Sequence, residues 1–448
     1  MKRSYVSKAL VACMVLTASV NGVPAHAAIA DHISRSKVAG VDVVTYRMEV
    51  ADVVTIEGSL PAGDYFASLN SGNPTIATLT GLMLDKGTPR QDKFVLAKLL
   101  DDVGGRLEFE VTDQQLLIHG KILKKDLARW LQILAADLRE PAFAPSEFEK
   151  ARKQLDGILR GQLESVNYLA TQRLLVDAFP AGHPNHPVAP PEWLSALNNA
   201  TLDEVKAFHH KYYGPAHMNL IFTGDVDNGA IRAAVSKSFS GWKGGMDFVR
   251  VAPSATQAAV AGVNQDVNLP DKASVTVVAG QGTGLRYTDP DALPLRVGTA
   301  VLGSGFTGRL MSAVRVKEGL TYGISASVGG DELVDGWFKI QASFAPALLD
   351  KGMSSTRREL EKWQRDGVTQ EELAARKTNM IGGFQTSLST TGGMARAIQL
   401  TLQRGEPLTW LDQYPRDIEA VTLQQVNGAI AKYIHPDRVV WVRAGTLP

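Results

Sequence analysis

The chain carries a single cysteine, Cys13, and it lies in the leading segment, so neither disulfides nor thiolate-bound metal organise the rest. Long apolar runs are also missing: past Val20, no stretch is long and apolar enough to span a bilayer. Neither sign of charge is in excess, with 47 Lys and Arg against 46 Asp and Glu and no block of like charge. That balance argues against nucleic acid or an anionic membrane surface as the main partner. What remains is a chain of 448 residues, long enough to bury its core without covalent help and to form two or more domains.

The first residues read as a secretory leader. Lys2, Arg3 and Lys8 form a basic start, Ala9 to Val20 a short apolar core, and Pro24-Ala25-His26-Ala27 an A-x-A cleavage site. The expected cut follows Ala27, which makes 1–27 a signal peptide and the protein an exported, periplasmic one. Leu10-Val11-Ala12-Cys13 loosely fits a lipidation site, but four residues between Lys8 and Cys13 leave almost no apolar core before it.

Self-comparison shows a repeat. A shift of 221 residues aligns Thr201, Leu202, Val205, Lys211, Tyr212, Pro215 and Gly224 with Thr422, Leu423, Val426, Lys432, Tyr433, Pro436 and Gly445. Upstream, Ala151-Arg152-Lys153 matches Ala375-Arg376-Lys377 at a shift of 224. We therefore expect two homologous domains, 28–245 and 263–448, joined by an alanine-rich linker over 246–262. Within each, strands alternate with amphipathic helices. Leu107, Phe109 and Val111 alternate with Arg106, Glu108 and Glu110, the pattern of a half-buried strand. Leu127, Trp130, Leu131, Leu134 and Leu138 follow helical spacing, with Pro141 closing the region. Helices are expected over 146–162 and 369–382, and closing strands over 218–223 and 439–443. The fold class is α+β: in each domain a mostly antiparallel sheet with helices packed on one face.

Gly308 to Gly323 concentrates the chemistry. It reads as a short helix, a glycine stop at Gly319 and a strand starting at Thr321. Arg315 falls in the last helical turn and Tyr322 at the start of the strand, so a guanidinium and a phenol can be held over one spot. Such a pair is suited to a peptide carbonyl on which negative charge develops.

Together with Leu84-Asp85-Lys86-Gly87-Thr88, Gly104-Gly105, Thr223-Gly224-Asp225-Val226, Asp289-Pro290-Asp291 and Val301 to Phe306, this stretch resembles the pitrilysin/insulinase-type zinc metallopeptidases, relatives of mitochondrial processing peptidase. The resemblance spans nearly the whole mature chain and implies a molecule shaped as half of a clamshell. It also implies an inverted zinc motif, H-x-x-E-H, in the first domain. Anchoring on Lys86-Gly87-Thr88 puts Thr78 and Leu82 where the histidines would stand and Gly81 where the glutamate would. None of these is a zinc donor. Around the expected third ligand stand Gly157-Ile158-Leu159, flanked by Asp156 and Glu164, and neither acid makes a ligand without the histidines. The resemblance does match Arg315 and Tyr322 to the arginine and tyrosine that bind substrate in the family's second domain.

The expectation is therefore a non-catalytic, substrate-binding subunit of a heterodimeric zinc peptidase. It would be inactive alone, with no cofactor of its own, with zinc held by a catalytic partner subunit, and with peptide or unfolded protein as substrate. A non-enzymatic scaffold or peptide-binding protein of the same fold is the alternative. Three other features are read conservatively. Gly303-Ser304-Gly305-Phe306-Thr307-Gly308 lacks the G-K-[ST] ending of a phosphate loop and is expected to be a flexible lead into the helix carrying Arg315. His183 and His186, in a proline-rich loop, and His209, His210 and His217 lack a carboxylate at ligand spacing. The strand 104–111 corresponds to the family's substrate-binding edge and is read first as an edge guarded by Arg106, Glu108 and Glu110.

Overall fold

Outer strands such as Arg106–Val111 alternate open and more buried side chains, whereas central strands such as Val275–Gly282 and Asn219–Gly224 are buried on both faces, and together they set two sheets around two main cores. The computed structural model describes residues 28–50, 52–245, 263–332 and 334–447. The expected leader 1–27 and the expected linker 246–262 lie outside the described residues.

The first sheet holds β1 (Ile33–Val38), β2 (Val41–Arg47), β3 (Val53–Leu60), β4 (Arg106–Val111), β5 (Leu116–Leu123) and β6 (Asn219–Gly224), in the order β1-β2-β6-β3-β5-β4. The second holds β7 (Asn264–Asn268), β8 (Val275–Gly282), β9 (Thr321–Gly329), β10 (Trp337–Phe344) and β11 (Val440–Gly445), in the order β7-β11-β8-β10-β9. In each sheet one neighbouring pair is parallel, β2 with β6 and β7 with β11, and the rest are antiparallel. Apart from β1, the two sheets share one strand order, and β4 and β9 occupy equivalent edges. This is the expected α+β class.

The repeated residues serve the same purposes in both halves. Thr201 with Glu204, and Thr422 with Gln425, form capping boxes at the starts of the helices Leu202–Tyr212 and Leu423–Tyr433. Gly224 and Gly445 close their strands with φ of +126° and +149°, and a Cβ there would stand 2.1 Å from Val53 O and 2.8 Å from Ser274 O.

The main helical layer lies on one face of each sheet, as expected. In the first half it includes Ile76–Met83, Leu127–Arg139 and Pro145–Leu163, whose Leu79, Trp130 and Leu155 pack with Val54, Ile56 and Ile118. In the second, Trp363 of the helix Leu349–Asp366 stacks on Phe338 at 5.9 Å. The opposite face of each sheet receives one helix from the other half. Met394, Ala395 and Ile398 of Thr391–Arg404 pack on Val44 and Ile221 of the first sheet. Ala170 and Leu174 of Val166–Ala178 pack on Val278, Val440 and Val442 of the second. Full burial of each valine, leucine, isoleucine or methionine among these contributes about 1.5–3 kcal/mol.

Hydrogen bonds fix the exchange. Gln399 Nε2 donates to Gly58 O at 2.9 Å, Thr223 Oγ1 to Thr391 O at 2.7 Å, and Thr276 Oγ1 to Asn167 Oδ1 at 2.9 Å. The carboxylate of Asp412 accepts from the backbone N–H groups of Ile29 and Ala30 at 2.7 and 3.0 Å, tying the start of the described chain to the second half.

Candidate functional site

The segment carrying Arg315 is a helix, but of the wider π form, over Met311–Lys317. Its signature is the bond from Glu318 N–H to Ala313 O at 3.1 Å, which spans five residues where an α-helix spans four. Gly319, at φ +64°, ends it, and β9 begins at Thr321. The register of β9 against β10 jumps there: Thr321 faces Phe344 and Ile324 faces Ala342, so Tyr322 and Gly323 together oppose Ser343. Thr321 Oγ1 holds this bulge by donating to Ser343 O at 2.5 Å, and it accepts from Gly323 N–H at 3.2 Å. A bulge re-aims the side chain it carries.

The result is a three-layer stack. The Arg315 guanidinium carbon lies 4.9 Å from the Tyr322 ring centre and 5.4 Å from that of Phe306. Tyr322 is 87% exposed and Phe306 75%. Arg315 Nη1 reaches Met311 Sδ at 4.0 Å, and no carboxylate pairs with the guanidinium among the described residues. The two rings restrict a long side chain that would otherwise be free, and each cation–π contact contributes about 0.5–1 kcal/mol at an exposed site. The structure thus brings Arg315 and Tyr322 together and adds Phe306, which the reading of the sequence left in a linker.

That linker is not the expected flexible connection. Arg376 Nη2 donates to Ser304 O at 3.1 Å, and Arg309 makes two bonds of 2.6 Å to the Glu372 carboxylate. The guanidinium fork holds the Glu372 carboxyl down to about 2. Glu318, just after the helix, is fixed by Arg358 at 2.6 Å. Local sequence hid these anchors because all three partners come from later helices.

In the first half, the degenerate motif lies on Ile76–Met83. Thr78 donates to the Asp64 carboxylate from its N–H at 3.2 Å and from its Oγ1 at 2.9 Å. Burial pushes Asp64 up to about 7, against the pull of the Thr78 hydroxyl. Gly81 faces Val111 of β4, and a Cβ there would stand 2.5 Å from Val111 Cγ2, so a glutamate side chain has no room without repacking. Leu82 packs against the hydrophobic core. Asp156 pairs with Arg160 at 2.7 Å, and Glu164 with Lys272 of the second half at 3.2 Å. Threonine, glycine and leucine give zinc nothing to bind, and Thr78 is already committed to Asp64. No group of three or more His, Cys, Asp or Glu suited to a metal occurs among the described residues.

His183 and His209 have structural roles. His183 is buried, stacks on Phe179 at 4.5 Å and bonds Asp335 Oδ1 at 2.9 Å, while Asn185 Nδ2 donates to Gly330 O and Asp335 O. Their loop therefore fastens the first half to the second. His209 sits against Tyr213 and bonds Leu138 O at 2.9 Å, and burial lowers it to about 4. On the first sheet, β4 is the edge, with Arg106 paired to Glu108 at 2.7 Å and Glu110 reaching His119 at 3.3 Å.

The molecule combines two matched sheets, a positioned arginine–tyrosine pair and, among the described residues, no group of side chains suited to a metal. Residues 199–380 match the model of the peptidase M16 inactive domain. An uncharacterized zinc protease of Mycobacterium tuberculosis is 27% identical over 368 residues, 79% of each chain. A non-peptidase homolog, YmxG, of Helicobacter pylori is 21% identical over 79% of this chain and 81% of that one. The crystal structure of a peptidase M16 inactive domain from Pseudomonas fluorescens superposes with a TM-score of 0.82 at 21% identity, covering 93% of this chain and 98% of that one. The family-model match and the zinc-protease relatives fit a non-catalytic member of the M16, or pitrilysin/insulinase-type, peptidases, and the solved structure shows the same fold.

Proposed function

We propose that this protein is the substrate-binding, non-catalytic subunit of a heterodimeric zinc peptidase in an exported compartment. A catalytic partner subunit supplies the zinc and the general base. This chain supplies Arg315 and Tyr322, whose guanidinium and phenol hold the scissile carbonyl of a peptide as negative charge develops on it. The single observation that carries the reading is the contrast between the two halves. Arg315 is half-buried, held against two exposed rings and without a carboxylate among the described residues, whereas Thr78, Gly81 and Leu82 offer no zinc donor. A surface arginine serving stability alone would be expected to pair with an acid, as Arg309 and Arg358 do.

The test is reconstitution. The chain is mixed with a zinc-motif relative from the same organism and assayed on a fluorogenic peptide. Activity is expected only in the mixture, lost on chelation, and reduced about 100-fold or more by Arg315→Ala or Tyr322→Phe, the scale of one lost oxyanion donor. Unchanged activity in both variants sinks the assigned roles. The Helicobacter pylori relative's description as a non-peptidase homolog favours one rival, a peptide-binding or scaffold protein without any peptidase partner. That rival predicts peptide binding and no gain of activity with any partner.

A further inference from the structure

The two equivalent sheet edges are guarded differently. β4 presents Arg106, Glu108 and Glu110 outward, the charged guard that keeps an edge from pairing with a stray strand. β9 is longer, and its exposed side chains are Tyr322, Ser325 and Ser327, with no charge and no proline among them. Its one guard is the bulge at Tyr322 and Gly323, which leaves Ile324–Gly329 as a regular edge. At the Thr321 end of that edge stands Arg315, a cation with no acidic partner among the described residues.

We propose that β9 is a docking edge for an extended peptide. The peptide adds antiparallel to β9 along Ile324–Gly329 and places a carboxylate against Arg315. The inference rests on the reading of Arg315 and Tyr322 as substrate-binding residues and names the chemistry they accept. Antiparallel addition follows the β8–β10–β9 order of the sheet, in which both existing pairs are antiparallel. A strand added this way runs from the Gly329 end to the Thr321 end, so its C-terminal side passes the bulge and arrives at the guanidinium. Backbone pairing supplies affinity without sequence demands, and the charged contact fixes register and direction. The carboxylate is the peptide's own C-terminus, which occupies the place that the scissile carbonyl takes in the proposed cleavage.

The experiment uses the whole chain without any partner subunit. A fluorescein-labelled, strand-forming Ser/Thr/Val peptide is titrated in three forms: free C-terminus, C-terminal amide, and C-terminal amide with a glutamate next to the end. Binding by anisotropy is expected for the first form, with both amides weaker by about tenfold. Tight binding of the first form alone supports a peptide terminus at Arg315; equally tight binding of the third form overturns that assignment. Arg315→Ala removes the preference, and Ser325→Glu, which gives β9 a guard like that of β4, weakens all forms. Hydrogen exchange slows over 324–329 and not over 106–111, and alternate N-methylation of the peptide abolishes the effect. Equal affinity for all three forms, protection on β4, or protection on β9 caused only by a second copy of this chain overturns the proposal. Reconstituted activity that survives Ser325→Glu while peptide binding is absent sinks the docking edge alone. Peptide binding without reconstitution sinks the accessory-subunit reading alone.

Discussion

Replacing Asp137 by asparagine removes a buried titratable group whose charged form the native state accepts poorly. Asp137 lies in the last turns of Leu127–Arg139, is 2% exposed, and its Oδ1 has no hydrogen-bond partner among the described residues. Burial, with Asp85 nearby, pushes its carboxyl from 3.8 to about 8, while Lys86 pulls the other way. The folded state therefore holds a proton that the unfolded chain releases near pH 4. Stability from this group is complete below the unfolded value and is lost as pH rises through about 8. Four units at 1.36 kcal/mol each set a ceiling of about 5–6 kcal/mol. Water penetration and relaxation reduce this, and we expect about 2–3 kcal/mol between pH 5 and pH 8. The assay is urea unfolding at both pH values, followed by tryptophan fluorescence, to which Trp130 on the same helix contributes. Wild type should lose more stability than Asp137→Asn as pH rises, and the two curves should converge toward acid pH. Equal pH slopes in the two proteins would refute the reasoning.

Other perturbations test separate parts of the structure. Glu372→Gln should cost about 1–2 kcal/mol at pH 7, since a depressed carboxyl stabilises above its unfolded value; the difference should fade as pH drops toward 2, read by thermal melts. Ile398→Ala and Leu174→Ala, each at a helix shared between halves, should each cost about 2–5 kcal/mol. Calorimetry should still show a single transition, and two well-separated transitions in wild type would disprove mutual support. Gly81→Ala should cost about 1–3 kcal/mol by overpacking against Val111. Metal analysis of the purified chain should find no stoichiometric zinc, in wild type or in Thr78→His/Leu82→His, because the remaining positions supply too few donors.

Much of this was legible in the sequence because it is local or periodic. The strand at Arg106, the helix around Trp130 and the repeated capping threonines follow from spacing within a few residues. The pairing of Arg315 with Tyr322 was visible for the same reason. What escaped depends on distant partners. Phe306 joins the stack only because the loop before it is held by Arg376 and Arg309. Asp64 has no signal of its own; its partner Thr78 is visible only as something missing from a motif. The π form of the Arg315 helix and the bulge at Tyr322 also arise from tertiary packing, which overrides the simpler α-helix and regular strand that propensity suggests. The exchanged helices leave no local mark, since an amphipathic helix looks the same whichever sheet it covers.

The exchange has a consequence for the order in which the chain can fold. As synthesis proceeds, the first sheet has all its strands once Gly224 has emerged, yet the helix that shields its second face waits for residues 391–404. Until then Val44 and Ile221 stay uncovered, and Ala170 and Leu174 have no sheet to lie on. Contacts this distant in sequence make folding slow, and the nascent chain resists premature locking. The two halves are thus tied in time as well as in space: neither can finish first.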